Sequence, residues 1–254
     1  MCDCYEFNVL ISDLPEVFSC CGNTIYRGRN HIKVIDVSGI EEIGLTEVVV
    51  KQFHRPNVFQ RIDYSFIRKS KAERAYRNAN RLRRRGIGTP ENLGYVEEWK
   101  HGIYQRSYYL TAYDEGVRLS ELQEEKLQLI HEFAYFVARM HESGLVHRDL
   151  NPSNILCHWN KTDKNYEFSL VDINRMKLYS KKPNIKQCMK DLMTFSDQQE
   201  VYEYFVKQYL HARQMRTEHT LQQILRAKQK RSKKRHSIKK FFKRFDDIYY
   251  KILG

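Results

Sequence analysis

Residues 147–154 read HRDLNPSN, so a carboxylate, Asp149, stands five positions before a carboxamide, Asn154. Phosphoryl transfer needs this pair of groups: a carboxylate to orient an attacking hydroxyl and take its proton, and an amide oxygen to help hold a divalent cation. Eighteen residues after Asn154, the apolar run LVDIN places Asp172 where a second oxygen ligand would complete a Mg²⁺ site. Lys51 closes the run VVV, where an ammonium group on a strand can meet nucleotide phosphates as a point charge. Glu73 follows 22 residues later and is expected to hold Lys51 by an ion pair. Each residue also has a plainer reading. His147 fits a core histidine bonded to backbone, Asp172 fits a turn cap, and Glu73 fits a solvated helix face. The plain readings weaken because all of these residues occur together and in order.

Elements must place these groups. TIYRG, RNHIKVIDV and LTEVVVKQF, within residues 24–53, read as strands rich in β-branched and aromatic residues. SKAERAYRNANRLRRR (70–85) reads as a helix, with Ala72, Ala75, Tyr76, Ala79 and Leu82 on one face and Gly86 at the C-terminal cap. NLGYVEEW and IYQRSYYLTAY read as two further strands. After Asp114-Glu115-Gly116 the pattern turns helical. Leu127, Ile130, Phe133, Ala134, Val137, Met140 and His141 form a stripe closed by Gly144. NILC and FSLVDI make a short strand pair, and 185–225 is helical in pattern. The expected fold is α+β with two lobes: a strand-rich lobe over 1–112, a helical lobe with the catalytic loop over 113–225, and a basic amphipathic tail over 226–254.

At these residues the chain resembles the protein-kinase-like superfamily. Lysine on a strand, glutamate on the next helix, H-x-D-x-x-x-x-N and then an apolar-Asp strand end is the ordered kinase set. It looks most like the Kdo/WaaP family of bacterial lipopolysaccharide core kinases, from the VVVKQF strand, the SKAERAYRNANRLRRRGIGTPENLGYVE segment and the short path from HRDLNPSNIL to LVDINR. The resemblance implies an ATP- and Mg²⁺-dependent enzyme that phosphorylates a Kdo or heptose hydroxyl. Lys51 would contact the α/β-phosphates, with Glu73 anchoring it. Asp149 would act as base beside His147, and Asn154 and Asp172 would hold Mg²⁺.

The departures from protein kinases are informative. No G-x-G-x-x-G precedes Lys51, and Gly28, in Arg27-Gly28-Arg29-Asn30, is the candidate turn over the phosphates. Asn174 replaces the glycine after the metal-binding aspartate, no A-P-E follows, and Asn151 stands where serine/threonine kinases often have lysine. Arg148 has no evident phosphorylated loop to pair with. These features favour a sugar or other small-molecule acceptor over peptides. Another small-molecule kinase, a serine/threonine protein kinase and a catalytically silent kinase-like binding protein are the alternatives.

The 254 residues carry 44 Lys/Arg and 31 Asp/Glu, a formal charge of +13. Residues 226–254 hold 12 of those bases and two acids, so the body is close to neutral. Hydrophobic content of 41% excludes a wholly disordered chain. In the tail Ile238, Phe241, Phe242, Phe245, Ile248, Tyr249, Ile252 and Leu253 share one helical stripe opposite lysines and arginines. That pattern fits an anionic membrane surface, where a lipid-linked sugar acceptor would be found. A disordered solvated tail, nucleic-acid binding and packing against the helical lobe are the competing readings. Cys2, Cys4, Cys20, Cys21, Cys157 and Cys188 show no C-x-x-C pair and suggest reduced thiols. With an acidic N-terminus and no apolar run of spanning length, the expected location is cytoplasmic, peripheral on the inner face of the membrane.

Overall fold

The computed structural model describes residues 7–122, 127–215 and 218–233. By contact the chain divides into two compact units, 1–123 with 147–178, and 124–146 with 179–254. The segment carrying Asp149, Asn154 and Asp172 therefore groups with the sheet, whereas a division at 112/113 would group it with the helices.

The first unit is built on a five-stranded antiparallel sheet of β1 (Asn23–Arg27), β2 (His31–Asp36), β3 (Glu47–Gln52), β4 (Asn92–Lys100) and β5 (Ile103–Ala112), in the order β1-β2-β3-β5-β4. Side chains alternate between faces along each strand. Val48 and Val50 of β3, with Tyr108 and Leu110 of β5, enter the core, so Val49 and Lys51, with Tyr109 and Thr111, fall on the other face. The core face is closed by two short helices, α1 (Phe7–Ser12) and α2 (Leu14–Cys20), through Leu10, Leu14, Val17 and Phe18. The sequence reading assigned no element there. Each of these leucines and Phe18, fully buried, contributes roughly 1.5–3 kcal/mol.

A third helix, α3 (Val58–Phe66), is likewise absent from the sequence reading. The fourth, α4 (Lys71–Arg83), forms as its pattern predicts. The Ser70 hydroxyl accepts the Glu73 amide at its start. At its end Gly86 (φ +65°) bonds back to Arg83 O, and Ile87 to Leu82 O, the paired bonds of a Schellman stop. A smaller sheet, in the order β6-β8-β9, joins β6 (Val117–Arg118), β8 (Ile155–Asn160) and β9 (Asn165–Leu170). The loop after α4 is tied to its far edge, with Leu170 N donating to Gly88 O at 2.9 Å. A β-carbon on Gly88 would sit 2.1 Å from Phe168 O, so only glycine permits this approach. The run FSLVDI is strand only as far as Leu170. Asp172 then adopts a left-handed conformation (φ +56°) and Ile173–Arg175 make one tight helical turn before β10 (Lys177–Leu178).

The second unit holds α5 (Leu127–Glu142), β7 (Leu145–Val146), α6 (Ile185–Leu192), α7 (Gln199–Ala212) and a helix over 218–233. The predicted α5 stripe is buried except at Leu127, which the first turn turns outward. Phe133 and Phe205 stack at 5.7 Å, with Phe195 against both. A polar cluster lies inside: His141 contacts Tyr209 OH at 2.8 Å and Asp191 at 3.2 Å, and Arg213 reaches Tyr209 and Glu142. Residues 226–233 extend the last helix, and Lys228 sits 3.6 Å above the Tyr202 ring, so the 225/226 boundary falls inside an element. The stripe Ile238–Leu253 lies outside the described residues. No helix among the described residues is long and apolar enough to cross a membrane.

Candidate active site

A cleft of about 730 Å³ opens in the first unit. Its roof is the outer face of the sheet, with Ile25, Ile32, Val49 and Tyr109, and its floor includes Leu156 and Leu170. Apolar side chains on both walls suit a flat heteroaromatic ring. At one end Lys51, Asn154, Asp172 and Asn174 bring polar groups together. At the other, the Asp114–Gly116 turn is fixed by Asp114, whose carboxylate accepts Gly116 N and contacts His158 at 2.8 Å.

Lys51 Nζ lies 2.6 Å from Asp172 Oδ1, so two groups 121 residues apart in sequence meet in the cleft. Asp172 is held from several sides. Asn174 donates to its Oδ1 at 2.6 Å, and the buried Asn78 of α4 donates to Ile173 O at 2.8 Å. His147 Nε2 contacts Val171 O at 3.0 Å, and Val171 N bonds to Asn154 O. These ties support two non-glycine residues in the left-handed region, Arg148 (φ +70°) and Asp172, a conformation that costs energy and gathers at functional sites. Burial raises the Asp172 pKa, but the Lys51 ammonium, with weaker help from His147 and Arg175, brings it below the usual carboxylate value.

Asp149 stands partly exposed at the loop, with Arg175 NH1 3.2 Å from its Oδ2. Asn154 donates its Nδ2 to Asp149 O at 2.9 Å, which leaves its Oδ1 as an available acceptor. The Asn154 and Asp172 oxygens fit Mg²⁺, which takes one or two protein carboxylates or amides and fills its remaining positions from phosphates and water. Among the described residues no group of three or more His, Cys, Asp or Glu side chains forms a closed metal cage.

Two expectations change. Glu73 is not the partner of Lys51: its Oε1 accepts from Lys69 at 2.6 Å and from Arg77 at 2.8 Å, the cations four residues to either side. Burial pushes its carboxyl up, yet those two cations bring it below its ordinary value. Asp172 takes the lysine instead. His147, expected at the catalytic site, is fully buried and outside the cleft lining, and its Nε2 meets the Val171 carbonyl. Gly28 lies in the β1–β2 turn, bonded to Asn30 O, while Tyr26 and Asn30 to either side line the cleft.

Asn78, Arg175 and Lys71 escaped the sequence reading, and Asn174 entered it only as a departure from the kinase glycine. Desolvation of Lys71, followed by repulsion from Arg29, Arg74 and Arg175, lowers its pKa, which marks a concentration of positive charge beside Asp172. Asn174 and Arg175 were within sight, being the two residues after Asp172-Ile173.

The family model for lipopolysaccharide kinases of the Kdo/WaaP type matches residues 37–227, about three quarters of the sequence. The chain belongs to the lipopolysaccharide kinase (Kdo/WaaP) family. Among solved structures it is similar to WaaP in complex with acyl carrier protein, at 19% identity and a TM-score of 0.60, covering 88% of this chain and 95% of that one. It is also similar to the Rio2 kinase of Chaetomium thermophilum with ADP, Mg²⁺ and phosphoaspartate, at 12% identity and a TM-score of 0.50, covering 87% and 75%. At these identities the matches establish a kinase-like fold. No curated protein matches the sequence directly. Members of the Kdo/WaaP family are ATP-dependent phosphotransferases acting on sugar hydroxyls of lipopolysaccharide, and this chain is a lipopolysaccharide kinase of that kind.

Proposed function

We propose that the enzyme transfers the γ-phosphoryl group of ATP to a hydroxyl of Kdo or heptose in the inner core of a lipid-linked glycan, at the cytoplasmic face of the membrane. The observation that carries this reading is the contact of Lys51 with Asp172 in a cleft that Asn154 also lines, with Asp149 bonded to Asn154 on the same loop. The adenine ring would lie between Val49 and Leu156, and the phosphates would run toward Lys51. Asn154 and Asp172 would hold Mg²⁺, which neutralises charge on the phosphate oxygens when bound. Lys51 then exchanges Asp172 for the α/β-phosphates.

Asp149 orients the sugar hydroxyl and accepts its proton as the new sugar O–P bond forms and the bond to the β–γ bridging oxygen breaks, releasing ADP. Arg175, 3.2 Å from the Asp149 carboxylate, would orient it until substrate arrives and then lie near the transferred phosphoryl group, with Lys71 adding positive charge beyond Asp172.

Incubation of the enzyme with Mg·ATP and Kdo- or heptose-containing acceptors tests the proposal. A gain of one phosphate on one of these acceptors is expected, read by mass spectrometry. Asp149→Asn is expected to slow transfer at least about 100-fold with ATP affinity nearly unchanged. Phosphorylation of peptides in preference to either sugar, or full activity in Asp149→Asn, would sink it.

A further inference from the structure

The third helix is built inside out. Arg61, Tyr64 and Ser65 face the protein: Arg61 Nε donates to Tyr104 O at 2.9 Å, Ser65 Oγ accepts Tyr104 N at 2.9 Å, and Tyr64 packs edge-on against the Tyr104 ring. Its apolar residues face solvent, with Phe59 85% exposed, Phe66 74%, Val58 63% and Ile62 47%, and Ile67 at the C-terminal cap 81% exposed. No residue of α3 is buried. Trp99, on the neighbouring hairpin and edge-on to Tyr104, is also exposed. Soluble helices turn such stripes inward, and a cluster of large apolar side chains facing out marks a contact surface.

We infer that the outward face of α3 docks on an anionic lipid bilayer. Two observations select that occupant. Residues 54–73 carry five Lys/Arg (Arg55, Arg61, Arg68, Lys69, Lys71) against two acids, Asp63 and Glu73, and Arg55, Arg68 and Lys69 are exposed, with Arg68 paired to Asp63 and Lys69 to Glu73, so the segment stays cationic overall. Basic residues around protruding aromatics and aliphatics are the composition that binds lipid headgroups while the apolar stripe enters the acyl boundary. Extent is the second. A nine-residue helix is only about 14 Å long, and one such stripe falls well short of the roughly 800 Å² per partner that a stable protein interface buries. A bilayer needs no matching partner surface. Arg61 and Ser65 lock the helix to β5, so the stripe is presented on a rigid support. This surface shares no residue with the cleft lining, and the inference holds whichever sugar is the acceptor.

The test uses the full chain and vesicles of phosphatidylcholine with an equal part of phosphatidylglycerol, with no sugar acceptor, so failure of the kinase reading leaves it intact. The parent is expected to sediment with these vesicles and less with pure phosphatidylcholine. Phe59→Ser with Phe66→Ser is expected to lower partitioning at least about tenfold with an unchanged thermal melt, since both side chains are exposed. The tail is present in both proteins, so the difference reports on α3. In a second arm, Phe59→Trp is expected to show emission quenched by lipids brominated along the acyl chain, beyond the quenching seen in the parent. Equal partitioning of the double variant, or unquenched Phe59→Trp emission, would overturn the inference. So would loss of self-association in the double variant with vesicle binding intact, which would assign the face to a second copy of the chain.

Discussion

Replacing Lys51 with methionine keeps the length of the side chain and removes its charge. In the structure the ammonium lies 2.6 Å from Asp172 Oδ1, with 14% of the lysine side chain and 30% of the aspartate side chain exposed. At an effective dielectric of about 20 the gross attraction at this distance is roughly 6 kcal/mol. Desolvation of both ions offsets most of it. Removing one partner of a fully buried pair costs about 3–5 kcal/mol, and exposed pairs contribute about 1 kcal/mol or less. Asp172 retains some solvent and a second donor in Asn174, so a cost of about 2 kcal/mol is expected without nucleotide. For a chain of this size that is a fall of about 4–8 °C in Tm. A double-mutant cycle with Asp172→Asn should return a coupling of similar size. The folded pKa of Asp172 is depressed, so the coupling is present above its ordinary value of 3.8 and lost as pH falls through the lower folded value. Glu73→Gln is the comparator: its partners are Lys69 and Arg77, so it should cost at most about 1 kcal/mol and show no coupling to Lys51. Denaturation of the six proteins these two cycles need, with and without Mg·ATP, measures all of this. A loss below about 0.5 kcal/mol for Lys51→Met, or a coupling to Glu73 exceeding that to Asp172, would refute the assignment of Asp172 as the partner of Lys51.

Two further outcomes follow from the packing. Gly88→Ala places a methyl group 2.1 Å from Phe168 O, so the loop after α4 must part from β9; a loss of about 2 kcal/mol or more is expected in urea denaturation, and an unchanged midpoint would contradict the close approach. In the second unit, burial of His141 lowers its pKa but the Asp191 and Cys188 contacts outweigh this and raise it above 6.5. Its contribution to stability is therefore complete below pH 6.5 and declines as pH rises through the folded value. His141→Asn should flatten that slope, as read by circular-dichroism melts between pH 6 and 9, and an identical slope in the variant would exclude His141 as its source.

Spacing along the chain was enough to identify the chemistry. The order Lys51, Asp149, Asn154, Asp172 marks phosphoryl transfer, and the alternation of β3 decides that Lys51 shares a face with Val49 and opposes Val48 and Val50. The helix at 71–83 was legible through Ser70 and Gly86 because capping is local: each cap bonds within a few residues of itself. Which charge pairs with which was not legible. Glu73 lies on the helix expected to hold Lys51, yet Lys69 and Arg77 compete for it from one turn away, and Lys51 finds Asp172 across 121 residues. The supports at Asn78 and Arg175 likewise depend on approaches between distant segments. Helix α3 has a helical apolar spacing, but spacing does not reveal whether such a stripe points inward. That was decided by Tyr104, whose backbone amide and carbonyl take up Ser65 and Arg61 and so turn Phe59 and Phe66 to the outside. The residue types and their order along the chain thus determined the reaction. Partner choice and facing were left to the tertiary structure, because both are settled by competition among groups that only folding brings within a few ångströms.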